Sequence, residues 1–278
     1  MKKFFVTVLS LAVAAAAAFA QDYNAAMEAY NNAAVAETKA AQIAGFREAM
    51  NLFAACEDED APAQVAKCQE NIVNISFGIV TDDIKAKDFD QALVSLDAAV
   101  AAAQEFGQDV EERKNKQLGN IYNGAANAAF GKKDAAAAVD NAKKAIEINE
   151  AVGATYFFLG WGLSQQKDVD GAIEALEKAN EMGMGKQALP LLSNQYLTKC
   201  QAANKAGKFA EAVDMANKAL EYNPNNANAY KLRGNAYTSL NKTAEAIEDF
   251  NKYLELNPNA KDAEGIKKTI AQLKAAKK

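Results

Sequence analysis

One pattern recurs four times between Tyr122 and Ala260, and it limits the fold more than any other feature of the chain. Tyr122, Tyr156, Tyr196 and Tyr230 begin the copies, and Ala126, Gly160, Cys200 and Gly234 stand four places later. Ala138, Ala172, Ala212 and Ala246 come at sixteen places, and Ala145, Ala179, Ala219 and Tyr253 at twenty-three. A fixed period of this kind means similar units, each stacked on its neighbour, in place of one globular core. The copies phase as 119–152, 153–186, 193–226 and 227–260, the third displaced by six extra residues around Gly185 to Leu192.

Each copy reads as two short helices around a central turn. The turns are Gly131-Lys132-Lys133-Asp134, Gln166-Lys167-Asp168, Ala206-Gly207-Lys208 and Leu240-Asn241-Lys242. Glycine and polar residues stop the first helix there, and Asp134, Asp168 and Thr243 are placed to cap the second. Asn223-Pro224-Asn225 and Asn257-Pro258-Asn259 close the last two copies, since proline cannot continue a helix. The chain has only four prolines and is rich in alanine, so helix is favoured throughout. Small residues at the recurrent offsets let two helix axes approach, and Leu159, Leu163, Leu176, Tyr237 and Phe250 fill the space beside them.

These residues carry a resemblance. The segment YKLRGNAYTSLNKTAEAIEDFNKYLELNPN resembles a tetratricopeptide repeat through Gly234, Tyr237, Ala246, Phe250 and Pro258. The copy YFFLGWGLSQQKDVDGAIEALEKANEM resembles it through Leu159, Gly160, Ala172, Leu176 and Ala179. Arg233 departs from the family pattern, replacing the usual leucine, and Glu150 and Met184 stand where proline is frequent. The resemblance implies an all-α, right-handed α-solenoid of helical hairpins. It also implies a partner polypeptide bound along the concave face made by the first helices. The residues one and five places after each aromatic are expected on that face: Asn123 and Asn127, Phe157 and Trp161, Leu197 and Gln201, Lys231 and Asn235. Carboxamides grip a peptide backbone with little regard to its sequence, and Phe157 with Trp161 would add an apolar anchor. The alternative is that the amides are simply tolerated on exposed helix and Trp161 is buried between repeats. Lys231 and Asn235 match the first pair of the family's carboxylate clamp, but the other copies lack that pair.

Outside the four copies the match fades. Ser76, Val80, Ala92, Leu96 and Ala99 keep the offsets, which supports a further repeat at 73–106. Asp109 and Glu112 are spaced as a capping box ahead of an unusually long helix. Residues 21–72 read as a divergent helical region, so the solenoid spans 73–260. Residues 261–278 read as a capping helix with Ile266, Ile270 and Leu273 on its inner side and lysines outside.

Residues 1–20 form a separate element. Lys2 and Lys3 precede an apolar run from Phe4 to Ala17, and Ala18-Phe19-Ala20 fits a cleavage site. This reads as a secretory signal cleaved after Ala20, the alternative being an uncleaved anchor; the run is shorter than the ~20 residues a span needs. A periplasmic or secreted bacterial product follows, with no membrane association expected after cleavage. In such a compartment Cys56 and Cys68 can join as a disulfide across EDEDAPAQVAK, or remain two thiols. Cys200 holds the small-residue place of its copy and reads as a buried apolar residue.

The function classes narrow accordingly. The chain has no histidine, which removes imidazole bases, Ser-His and Cys-His pairs and histidine metal ligands. A net charge of −5 argues against nucleic acid as partner. Glu57-Asp58-Glu59-Asp60 lacks the glycine and alternating ligands of a calcium loop. No phosphate loop, dinucleotide fingerprint or nucleophile elbow appears. We expect a non-catalytic scaffold of the cell envelope that binds a protein or peptide and needs no cofactor or metal. The alternative is a promiscuous holdase or assembly chaperone.

Overall fold

The computed structural model describes residues 22–276. The expected signal segment and its cleavage site lie outside them, as do Lys277 and Lys278. Helices and turns account for the described residues, with no strand among them. The chain divides into two units, 22–124 and 125–276 in described residues.

The first unit begins with helix α1 (22–34), then α2 (Lys39–Ala54), α3 (Ala61–Ala86), α4 (Phe89–Glu105) and the first half of α5 (Glu111–Lys132). Consecutive helices pack as hairpins, α2 on α3 and α3 on α4. One core gathers Phe46, Phe53, Cys68 and Ile72, a second Phe77, Val80, Leu96 and Ile121. Arg47 ties α2 to the end of α4 by two bonds to Glu105, each 2.7 Å. Arg113 of α5 lies 4.1 Å from the Phe77 ring centre and donates to Asn74. Cys56 and Cys68 are free thiols, in place of the disulfide that the compartment argument allowed. The Cys56 Sγ donates to the Leu52 carbonyl at 3.2 Å, while Cys68 is fully buried two turns into α3, where burial pushes its thiol up to about 11.

The second unit holds the rest of α5, then α6 (Ala135–Glu147), α7 (Gly153–Gln165), α8 (Val169–Ala179), α9 (Gly185–Lys205), α10 (Phe209–Tyr222), α11 (Ala227–Ser239), α12 (Thr243–Leu256) and α13 (Ala263–Ala276). From α6 on each helix packs on the next, and α9 also packs on α7 and α11, so first helices touch first helices as stacked hairpins require. The six extra residues of the third copy lengthen α9 at its start, after a kink at Met182 and Gly183 (φ 89°). Pro190 is carried inside that extension. The interior is built on the recurrent offsets. Ala126, Ala138, Ala172, Ala212 and Ala246 are fully buried, as are Ala145, Ala179, Ala219 and Cys200. Gly160 shows why the fourth place must be small: a Cβ there would sit 2.6 Å from Leu176 Cγ. At the end, Ile270 of α13 is buried with Ala246 and Phe250, flanked by Ile266 and Leu273.

The hairpin turns share one geometry across both units. Lys87, Lys133, Lys167, Gly207 and Asn241 all take the left-handed conformation, with φ between 58° and 73°. The next residue donates its N–H back to the carbonyl five places earlier: Asp88 to Asp83, Asp134 to Ala129, Asp168 to Leu163, Lys208 to Ala203 and Lys242 to Tyr237, at 2.9–3.0 Å. This Schellman closure satisfies the carbonyls that end the first helix. Asp88, Asp134 and Asp168 then cap the second helix through side-chain oxygens 3.0–3.1 Å from backbone N–H groups. Thr243 does not cap; it is the first residue of α12, and Lys242 holds the cap position without a side-chain bond. Burial pushes the Cys200 thiol up to about 11, so it stays protonated and inert at neutral pH.

Candidate functional site

The first helices of the second unit place the expected groove residues in two groups. In the first, Trp161 of α7 is half-buried and stands edge-on to Phe130 of α5, with ring centres 4.9 Å apart. Phe130 also meets Phe157 at 5.5 Å and Phe158 at 5.4 Å. Phe157 is only 8% exposed and therefore supports this aromatic cluster from inside, leaving Trp161 and Phe130 as its accessible members. Leu197 is likewise buried at 8% and belongs to the core.

The second group is polar. Gln201 of α9 and Asn235 of α11 are exposed on the walls of a cleft of about 420 Å³, with Asn204, Lys205, Leu232 and Phe209. The Asn204 amide donates to the Leu232 carbonyl at 3.2 Å, which fixes its orientation between two first helices. Asn127 is exposed on α5, whereas Asn123 is half-buried on the part of α5 that belongs to the first unit.

Lys231 is not available to a clamp. Its Nζ lies 3.1 Å from Asp262 Oδ2 and 5.1 Å from the Tyr253 ring centre. Tyr253 donates to the other Asp262 oxygen at 2.6 Å. The two donors hold the Asp262 carboxyl below its ordinary range, Tyr253 contributing first and Lys231 second. Burial and the same bond push the Tyr253 phenol up to about 12. The lysine that matched the clamp is thus committed to fastening the turn before α13.

Sequence reading missed Phe130 and Asn204, and their signal was present. Both stand eight places after the first aromatic of their copy, and places one, five and eight share one face of a helix. The same row gives Ser164 and Thr238, whose hydroxyls bond back to the carbonyls of Trp161 and Gly234. A second omission concerns Arg233, noted only as a departure from the family pattern. Its Nε and Nη2 donate to the two oxygens of Asp249 at 2.8 and 2.7 Å, and Nη1 donates to Asn217 at 2.6 Å. Tyr230 and Tyr237 flank the guanidinium at 5.4 and 5.9 Å. Asp249 is 3% exposed, and its bonds to Arg233 raise the guanidinium pKa against the opposing effect of burial. This is a structural ion pair that replaces the apolar contact of the family pattern.

A cluster of three or more acidic or cysteine side chains placed to hold a metal is absent among the described residues. No described helix is long and apolar enough to cross a membrane.

Residues 227–260 match the family model described as Tetratricopeptide repeat. No curated protein matches the chain. Among solved structures it is similar to YrrB, described as a TPR protein with an unusual peptide-binding site, at 19% identity over 70% of this chain and 91% of that one, with a TM-score of 0.44. It is similar to the first TPR domain of human RPAP3 at 28% identity over 45% of this chain and 94% of that one, with a TM-score of 0.32. MamA from Desulfovibrio magneticus RS-1 is similar at 16% identity, with 57% and 96% covered and a TM-score of 0.38. Residues 227–260 are thus a tetratricopeptide repeat, and the same residue offsets run back from that repeat to Tyr122.

Proposed function

We propose that the protein is a non-catalytic interaction scaffold that holds an extended segment of a partner protein along the first helices of its second unit. The single observation that carries this reading is the pairing of an accessible aromatic anchor, Trp161 against Phe130, with an amide-lined cleft at Gln201, Asn204 and Asn235. An aromatic anchor supplies most of the affinity in such an interface, and carboxamides bond a peptide backbone whatever its side chains. With Lys231 neutralised by Asp262, the groove has no built preference for a terminal carboxylate. Residues 1–20 support a periplasmic or secreted location in a bacterium, and hence a role in assembly at the cell envelope. The holdase alternative rests on the same surface, which would then serve many unfolded chains.

Trp161 is the chain's sole tryptophan, so its emission reports on the groove directly. A partner recovered by crosslinking from envelope extract is expected to shift that emission on titration. Trp161→Ala is expected to weaken binding by at least about tenfold with helical circular dichroism unchanged. Unaltered emission and unaltered affinity would reject this surface. Weak binding to many unfolded chains, with suppressed light scattering, would favour the holdase reading.

A further inference from the structure

A second cleft, of about 720 Å³, opens on the other side of α7, between α6 and α8. Its floor is apolar: Ile146 of α6 with Tyr156 and Leu159 of α7, all half-buried, and the buried Leu163 beneath them. At about 100° per residue, the row Tyr156-Leu159-Leu163 and the pair Phe157-Trp161 point some 150° apart around α7. This cleft is therefore separate from the groove considered above.

Its charge is uneven. Glu174 and Glu177 of α8 and Glu181, just past its end, stand three and four places apart along one edge, and Asp168 before α8 also lines the cleft. Lys178 lies on that edge too, but its Nζ is 3.0 Å from Glu181 Oε2, and Lys143 on α6 is the remaining cation of the lining. Glu177 is held in place from behind: the Tyr196 and Tyr222 hydroxyls both donate to its Oε1 at 3.0 Å, and the two rings stack with centres 5.6 Å apart. A carboxylate fixed in this way needs little further ordering to accept a cation.

We propose that this cleft docks a basic amphipathic helix of a partner protein. The argument is charge complementarity around an apolar floor. An acidic edge with helical spacing meets lysine or arginine at matching spacing on an antiparallel or parallel helix, while leucine-type side chains of that helix cover Tyr156, Leu159 and Leu163. The edge from Glu174 to Glu181 is about 10 Å long, or two turns, so three cations at helical spacing span it. The apolar floor supplies the affinity, and the carboxylates select the partner and speed the encounter.

The test uses the full chain and two fluorescein-labelled synthetic peptides of fourteen residues. Both carry the same leucines at i, i+3, i+4 and i+7; one has lysine on the flanking positions and the other glutamate. Fluorescence anisotropy is expected to show binding of the lysine peptide, weakening with salt, and at least about tenfold poorer binding of the glutamate peptide. Glu174→Lys with Glu181→Lys is expected to cut the affinity for the lysine peptide by at least about tenfold, with circular dichroism unchanged. A variant with equal charge change on exposed positions of the first unit, Glu70→Lys with Asp97→Lys, is expected to cost less than about threefold. Equal loss in the two variants would reduce the effect to general electrostatics and overturn the proposal. Equal binding of the two peptides would overturn it as well. A dimer of the chain that the Glu174 and Glu181 reversals dissolve would make the occupant a second copy, and the separate partner would be rejected.

Discussion

Hairpins α7/α8 and α11/α12 share one phase, one turn and one set of small residues, yet they are filled in opposite ways. In α7/α8 Leu159 holds the third place after the aromatic, and the facing side of α8 is apolar, with Ile173 and Leu176 buried. In α11/α12 Arg233 holds that place and Asp249 answers it from the second helix. At twenty-three places α8 has Ala179, while α12 has Tyr253, which reaches on to Asp262. At the cap of the second helix Asp168 bonds Gly171 N, and Lys242 bonds nothing through its side chain. The difference shows what the period actually demands. It demands small residues where the axes cross and a left-handed residue at the turn; the places beside the crossing accept either oil or a fully bonded ion pair.

The largest consequence lies in that ion pair. Removing one member of a buried pair strands the other charge, whereas replacing both with apolar groups of similar volume is close to neutral. Asp249→Ala is therefore expected to destabilise the last hairpin by about 3 kcal/mol, toward the lower end of the usual range because Arg233 lines an open cleft. Arg233→Leu with Asp249→Leu, which makes α11/α12 resemble α7/α8, is expected to restore most of that loss. Urea titration followed by circular dichroism, with hydrogen exchange to localise the effect to α11–α13, measures both. A double variant as unstable as Asp249→Ala would mean that the pair is indispensable and the two ways of filling are not equivalent.

Tyr253 gives the next effect, through pH. Its phenol is raised from an ordinary value of 10 to about 12, first by burial and then by the bond to Asp262. A raised pKa means that the folded state keeps a proton the unfolded state has lost, so stability is whole below pH 10 and falls as pH rises toward 12. Burial and the Glu177 carboxylate raise Tyr196 and Tyr222 in the same direction, so the alkaline loss is shared. Tyr253→Phe is expected to be less stable at neutral pH and to lose stability less steeply between pH 10 and 12. Parallel alkaline curves for the variant and the parent would show that the Tyr253–Asp262 bond contributes nothing to fastening α13.

How much of this was legible in the sequence follows from the same comparison. Places four and sixteen are dictated by the approach of two backbones, so Gly160, Ala172 and Ala246 announced the fold by themselves. The turns were legible as turns, but the left-handed residue was hidden at Lys133 and Lys167, because lysine carries no signal for positive φ. Counting one and five places from the aromatic gave Trp161, Gln201 and Asn235, whose side chains are accessible on the first helices. It also brought in Phe157 and Leu197, since a helix packed on two neighbours buries part of its nominally outer face. The partners of Arg233 and Lys231 lie sixteen and thirty-one residues away, and no local pattern names them.

The smallest expected effect is the cap, and it can be run in both directions. Asp168 and Lys242 have nearly the same backbone, φ −81° and ψ 85° against φ −87° and ψ 73°. An aspartate at 242 would therefore reach the N–H of Glu245 as Asp168 reaches that of Gly171. Asp168→Ala is expected to cost about 1 kcal/mol, the usual worth of such a cap. Lys242→Asp is expected to gain less than that, about 0.5 kcal/mol, because the new carboxylate stands near Glu245 and the Lys242 ammonium leaves its place 5.7 Å from the Tyr237 ring centre. The favourable field at a helix N-terminus acts with the cap in both cases. Thermal melts of the two variants at low and high salt separate the parts, since the hydrogen bond survives screening and the field does not. If Lys242→Asp were destabilising at high salt, the turns would differ in geometry more than their dihedral angles allow, and the shared closure that unites the five hairpins would not extend to their caps.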